Sequence, residues 1–164
     1  RLGADGAGGD IMNGDELPVF ATLIASTSIG LMGGLLERAT AHITGSRFAE
    51  SGTSLADLPT IRAYLARGRI QADQARALRD DTLAALAAGR ADAMLRVLQV
   101  KASAAEAALE VSDTAMRICG GAAFRKELGV ERLFRDARAA SVMGPTSDVL
   151  YDFIGRALCG MPLA

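Results

Sequence analysis

The sequence predicts an all-α protein, an up-and-down bundle of the four-helix type. Three observations lead there. Apolar residues recur at helical spacing through long stretches from residue 17 onward. No segment alternates apolar and polar residues as a half-buried strand does. Alanine and leucine, strong helix formers, dominate a chain without tryptophan. With 164 residues, 50% of them hydrophobic, the chain can bury one core and is too short for two ordinary domains.

Residues 1–16 (RLGADGAGGDIMNGDE) hold too much Gly and Asp for a stable helix and read as a linker. From Leu17 to Leu36 there is no charge, and Gly30 with Gly34 makes a GxxxG pair. Thr22, Ser26, Thr27 and Ser28 interrupt this run, and no Trp or Tyr belt flanks it. A buried central helix, approached closely at its small residues, is therefore expected rather than a membrane span; it runs on to Gly45, a natural left-handed stop.

Thr53 or Ser54 is placed to cap the second helix. There Leu58, Ile61, Leu65, Ile70, Ala72, Ala75, Leu78, Leu83 and Leu86 recur up to Gly89. Residues 91–118 form the third, with Leu95, Leu98, Ala102, Ala105, Leu109 and Met116 near one stripe and Arg96, Lys101, Glu106 and Glu110 elsewhere. It ends at Gly120-Gly121. A shorter element covers about 130–140, and Pro145 opens a last helix running to Gly160.

Charge and composition exclude several functions. A formal net charge of −1, from 18 basic and 19 acidic residues, removes the electrostatic drive for nucleic acid or anionic lipid. Two Tyr and five Phe leave few stacking residues. Cys119 and Cys159 form no CxxC and have no neighbouring His; both are expected to be buried thiols in a reducing, cytoplasmic compartment. No metal site is expected. His42 is the single histidine, which leaves no triad or His-rich site, and a partly exposed helix position is expected for it. The chain starts at Arg1, shows no signal peptide and reads as an internal piece of a longer protein.

Gly6-Ala7-Gly8 followed by Gly9-Asp10-Ile11 breaks the GxGxxG phosphate pattern at its third glycine, and no strand precedes it. Asp148 and Asp152 lie one turn apart. Helix-start placement accounts for the first, and an i,i+4 pair with Arg156 for the second. Likewise Glu131 is spaced to pair with Arg135, and Arg132 with Asp136.

Three pieces in order carry more information than any alone. Ile118-Cys119-Gly120-Gly121-Ala122-Ala123-Phe124, then Val130-Glu131-Arg132-Leu133-Phe134-Arg135-Asp136-Ala137-Arg138, then Thr146-Ser147-Asp148 before an apolar helix resembles the end of an acyl-CoA dehydrogenase. In that flavoprotein family the matching segments are GGxGF, ERxxRDAR and an EGT turn. The resemblance extends over nearly the whole chain. It implies that residues 1–14 are a linker or the tail of a missing middle β domain, and that 15–164 are the C-terminal α-helical bundle domain.

The resemblance further implies an oxidoreductase that binds FAD between the middle domain and the bundle. Such an enzyme oxidises the Cα–Cβ bond of an acyl-CoA and passes electrons to an electron-transfer flavoprotein. It implies a dimer or tetramer in which the GG segment of one subunit meets the adenine side of another subunit's flavin. Gly120 and Gly121 match that segment, and Thr146 matches the Thr of the EGT turn. Arg47, followed by Phe48, takes the place of a flavin-phosphate arginine from a shifted position. Retention of FAD is expected of the full-length protein and not of this chain alone. Self-association is expected through the Leu17–Leu36 helix or its neighbours.

The departures bear on catalysis. The family's usual base falls on Gly144, and the alternative base position on the first bundle helix falls near Phe20; neither has a carboxylate. Arg117 stands where the family has Gln before the glycines. If the base has moved, Asp15 and Glu16, one turn before Phe20, are the nearest carboxylates in sequence. The alternatives are a non-catalytic subunit of a mixed oligomer, a flavin monooxygenase-like relative and a structural oligomerisation module.

Overall fold

A computed structural model describes residues 4, 6–8, 14 and 16–162. Most of the 1–14 linker, including the break in its glycine pattern, and Asp15 lie outside the described residues. Three long helices, α1 (Leu17–Gly45), α2 (Pro59–Ala87) and α3 (Ala93–Cys119), run up, down and up. They are followed by α4 (Val130–Ala137), α5 (Ala139–Val142) and α6 (Ser147–Leu158). Short 3-10 turns at Leu55–Asp57 and Gly120–Phe124 lie in the connections. Among the described residues the only β pairing is an isolated antiparallel bridge, Arg47 with Ser54.

Helix α1 is long and apolar enough to cross a membrane by length and composition alone. One of its faces is consumed by the bundle: Ala25, Ile29, Met32, Leu35, Leu36, Ala39 and Ile43 are buried at helical spacing. Each large member contributes about 1.5–3 kcal/mol relative to exposure. Its hydroxyls are satisfied within the helix, as Thr22 donates to Pro18 O (2.8 Å), Ser26 to Thr22 O (2.7 Å) and Thr40 to Leu36 O (2.7 Å).

The central helix is α3, not α1. Val97, Val100, Ala104, Ala108 and Val111 are buried on α3, while Leu98 and Ala102 form a separate apolar cluster with Leu150 of α6. The expected stripe is therefore too narrow, because α3 packs against α1, α2, α4 and α6. On α2, by contrast, Ile70 and Leu83 point outward, being 56% and 46% exposed.

The GxxxG pair does not mediate the close approach of helices. A side chain on Gly30 would meet nothing within 4 Å, and one on Gly34 would only touch Leu133 of α4. The tight contact is Gly68 on α2 against Leu36.

Capping also differs in detail. Asp57 accepts from the Ser54 N–H (2.6 Å) and hydroxyl (3.2 Å), so Ser54 fixes the 3-10 turn and α2 starts later, at Pro59. Pro145 precedes α6 rather than opening it. Thr146 is the cap, its Oγ1 accepting from the Val149 N–H.

The α2–α3 corner closes through Gly89 (φ +60°), where the Arg90 N–H reaches Ala85 O at 2.9 Å. Arg90 bridges Asp81 (2.7 Å) and Asp92 (2.8 Å), and Arg96 joins the same two carboxylates.

Candidate functional site

The sequence-derived site residues fall into two groups at different levels of α3. The first surrounds the C-terminal ends of α1 and α3. Arg47 and Phe48 lie in the turn after α1, where Arg47 Nη1 donates to Gly52 O (3.0 Å) and the Phe48 ring is 43% exposed. Gly120 and Gly121 follow α3; Gly120 has φ +54°, which disfavours any side chain. A Cβ on either glycine would meet nothing within 4 Å, so a flat group can approach this backbone. His42 is half-buried beside this end, lining a small cavity with Ala122, Arg125 and Leu128.

The second group gathers around Lys101, near the other end. The 18 residues from Lys101 to Cys119 correspond to roughly 27 Å of helix. Gly144 is exposed in the turn between α5 and α6, with open space where a side chain would go. Thr146 caps α6 two residues later. Phe20, from the first turns of α1, lies with its ring centroid 5.9 Å from Lys101 Nζ. Thus Gly144 and Phe20, the two positions without a carboxylate, flank one side chain. Glu16 is exposed one turn before Phe20, at the start of α1.

Lys101 itself was missed. It is fully buried and donates to the carbonyls of Ala140 (3.3 Å), Met143 (3.0 Å) and Pro145 (2.7 Å). Burial pushes its ammonium below the usual lysine range. A signal was present in the sequence: its helical neighbours Val97, Leu98, Ala104 and Ala105 are all apolar, so no i±3 or i±4 acid can hold it at the surface.

The surface pairs divide. Glu131–Arg135 and Arg132–Asp136 form on α4, both as exposed, weak contacts. Arg156 instead donates to Pro162 O (2.7 Å), so the chain end, rather than Asp152, holds its guanidinium. Cys119 is buried, its thiol pushed up to about 11 by desolvation, whereas Cys159 is exposed because α6 ends there at the surface.

The family model for the acyl-CoA dehydrogenase C-terminal domain matches residues 6–159. Cyclohex-1-ene-1-carbonyl-CoA dehydrogenase of Geobacter metallireducens is 28% identical over 158 residues, covering 96% of this chain and 40% of that protein. The 3-sulfinopropanoyl-CoA desulfinase of Paraburkholderia xenovorans is 28% identical over 140 residues, covering 85% and 35%. A solved glutaryl-coenzyme A dehydrogenase in complex with glutaryl-CoA superimposes with a TM-score of 0.90 at 26% identity, over 99% of this chain and 40% of that one. The chain thus spans well under half the length of these relatives.

Proposed function

Because the chain belongs to the acyl-CoA dehydrogenase family, as its C-terminal domain, we propose that it forms the bundle-side wall of a flavin and acyl-CoA site in a longer oxidoreductase. The observation that carries this reading is the clustering of Gly144, Thr146 and Phe20 around Lys101 at one level of the bundle. The family binds FAD, and the residues present fit a contribution to its site. The open backbone at Gly120 and Gly121 and the exposed Arg47 and Phe48 offer a surface for a flat, charged group. FAD, when bound, supplies the electron-accepting half of the chemistry.

In this reading the chain's own residues bind and orient. Thr146 and the α6 N-terminus favour polar or anionic groups at the turn. Gly120 and Gly121, so far from Gly144 along α3, serve a neighbouring subunit's flavin, which makes an oligomer of two or four subunits part of the proposal. Removal of the acidified α-proton of an acyl-CoA needs a carboxylate within about 3 Å. Glu16 is the described carboxylate nearest in sequence to Phe20 and is assigned that role here. An electron-transfer flavoprotein is the proposed acceptor, and the cytoplasm the proposed location.

A second reading rests on Gly144 itself. With open space at its Cβ and no carboxylate, the chain would be a non-catalytic subunit whose partner brings the base. The family's reach is not confined to dehydrogenation by name, since one relative is a desulfinase.

The test is the flavin content of the purified full-length protein: about one FAD per chain is expected, and a colourless, correctly folded protein defeats both readings.

A further inference from the structure

Among the described residues, Lys101 is the one charged side chain that is fully buried, and no carboxylate pairs with it. A buried cation without a counter-charge is costly, so what it holds matters. An ammonium has three N–H groups, and the carbonyls of Ala140, Met143 and Pro145 take all three. None is left to bind a ligand or to move a proton. These carbonyls belong to α5 and the turn after it; the Met143 N–H still reaches Ala139 O, but carbonyls at the end of a helix have no helical N–H to accept from. One side chain from α3 therefore fastens the whole segment from 140 to 145.

We propose that Lys101 is a positioning residue of the site, setting the turn that carries Gly144 and Thr146 against α3 and gauging it against Phe20 on α1. This inference rests on the reading of the site given under the proposed function. Without the three bonds the stretch is held on α3 by the packing of α5, where Ala140 is buried, and by the apolar contacts of α6, chiefly Leu150 with Leu98 and Ala102; these flank the turn at 143–145 rather than lying in it. A displacement of about 1 Å in such a wall is enough to cost a large factor in rate while leaving binding nearly intact.

The experiment uses the full-length flavoprotein with Lys101→Met and Lys101→Gln. Two quantities are read: flavin reduction by an acyl-CoA over a range of concentrations, and amide hydrogen exchange in peptides covering 139–149 against those from α1 and α2. The expected result for both variants is retained flavin, half-saturation within about twofold, a reduction rate at saturation lowered about tenfold or more, and faster exchange confined to 139–149. Exchange unchanged at 139–149, exchange raised alike across the bundle, or raised local exchange with an unchanged rate would each overturn the proposal. If Lys101→Met does not fold, Lys101→Gln decides. Failure of both to fold also counts against it, since Lys101 would then be required by the whole bundle. If no acyl-CoA reduces the unmodified protein, the functional reading fails, and the exchange pattern alone decides whether Lys101 sets the turn.

Discussion

A methyl group on Gly68 would sit 2.9 Å from Leu36 Cδ2, so α2 and α1 meet at this glycine more closely than any side chain allows without a shift. Leu36 is itself buried in the main core, with Val111 of α3 on the same side. Gly68→Val should therefore destabilise the bundle by about 1–3 kcal/mol through overpacking. Gly30→Ala, in open space on α1, should stabilise it by about 1 kcal/mol through helix propensity. Urea unfolding followed by circular dichroism measures both, and opposite signs for the two are the expected outcome.

The contrast shows what the sequence could reveal. The helices were legible because apolar residues recur every three to four positions, and the ends at Gly89 and Gly120 because glycines with positive φ mark them; Gly45, expected as a left-handed stop, instead stays within α1, which ends in the extended Ser46. Which glycine makes the close contact was not legible: GxxxG spacing on α1 is a local pattern, while the approach of Gly68 depends on how α2 crosses α1. Gly120, Gly121, Gly144 and Thr146 could be singled out as candidates through motif order. For Lys101 the apolar neighbours signal burial but not a role, because its three partners are main-chain carbonyls some forty residues away, which no side-chain motif records.

The α2–α3 corner should weaken in acid. Hydrogen bonds from Arg90, assisted by Arg96, hold the Asp92 carboxyl at about 2, below its ordinary 3.8, and Arg90 lowers Asp81 in the same way. A depressed folded-state value means the contribution is fully present above about pH 4 and is lost as pH falls towards 2. The urea midpoint should drop across that window in the unmodified protein and drop less in Asp92→Asn. Equal acid sensitivity in both would show that the corner does not contribute.

Base placement separates the two functional readings. In the full-length protein Glu16→Gln should slow flavin reduction by an acyl-CoA by roughly 10²–10⁴-fold, the usual contribution of a positioned base. Gly144→Glu should add less than about tenfold, although its side chain has room. Indifference to Glu16→Gln, with a large gain from Gly144→Glu, would instead identify a subunit that has lost its base from an otherwise intact pocket.

The proposed assembly, in which the two residue groups along α3 serve different flavins, has two tests. The full-length protein should sediment as a dimer or tetramer. Gly121→Leu, which the chain tolerates because its Cβ faces open space, should lower the flavin-to-protein ratio without changing helix content. Unchanged flavin retention would remove the glycine segment from the cofactor site.

Anaerobic titration of the full-length protein with acyl-CoA thioesters of graded chain length, followed by flavin absorbance, addresses the assignment most directly. Stoichiometric bleaching of the oxidised flavin by at least one thioester is the expected result. A flavin that stays oxidised in the presence of every acyl-CoA, in a protein that binds FAD and is fully folded, would contradict an acyl-CoA-oxidising role for the site this bundle walls.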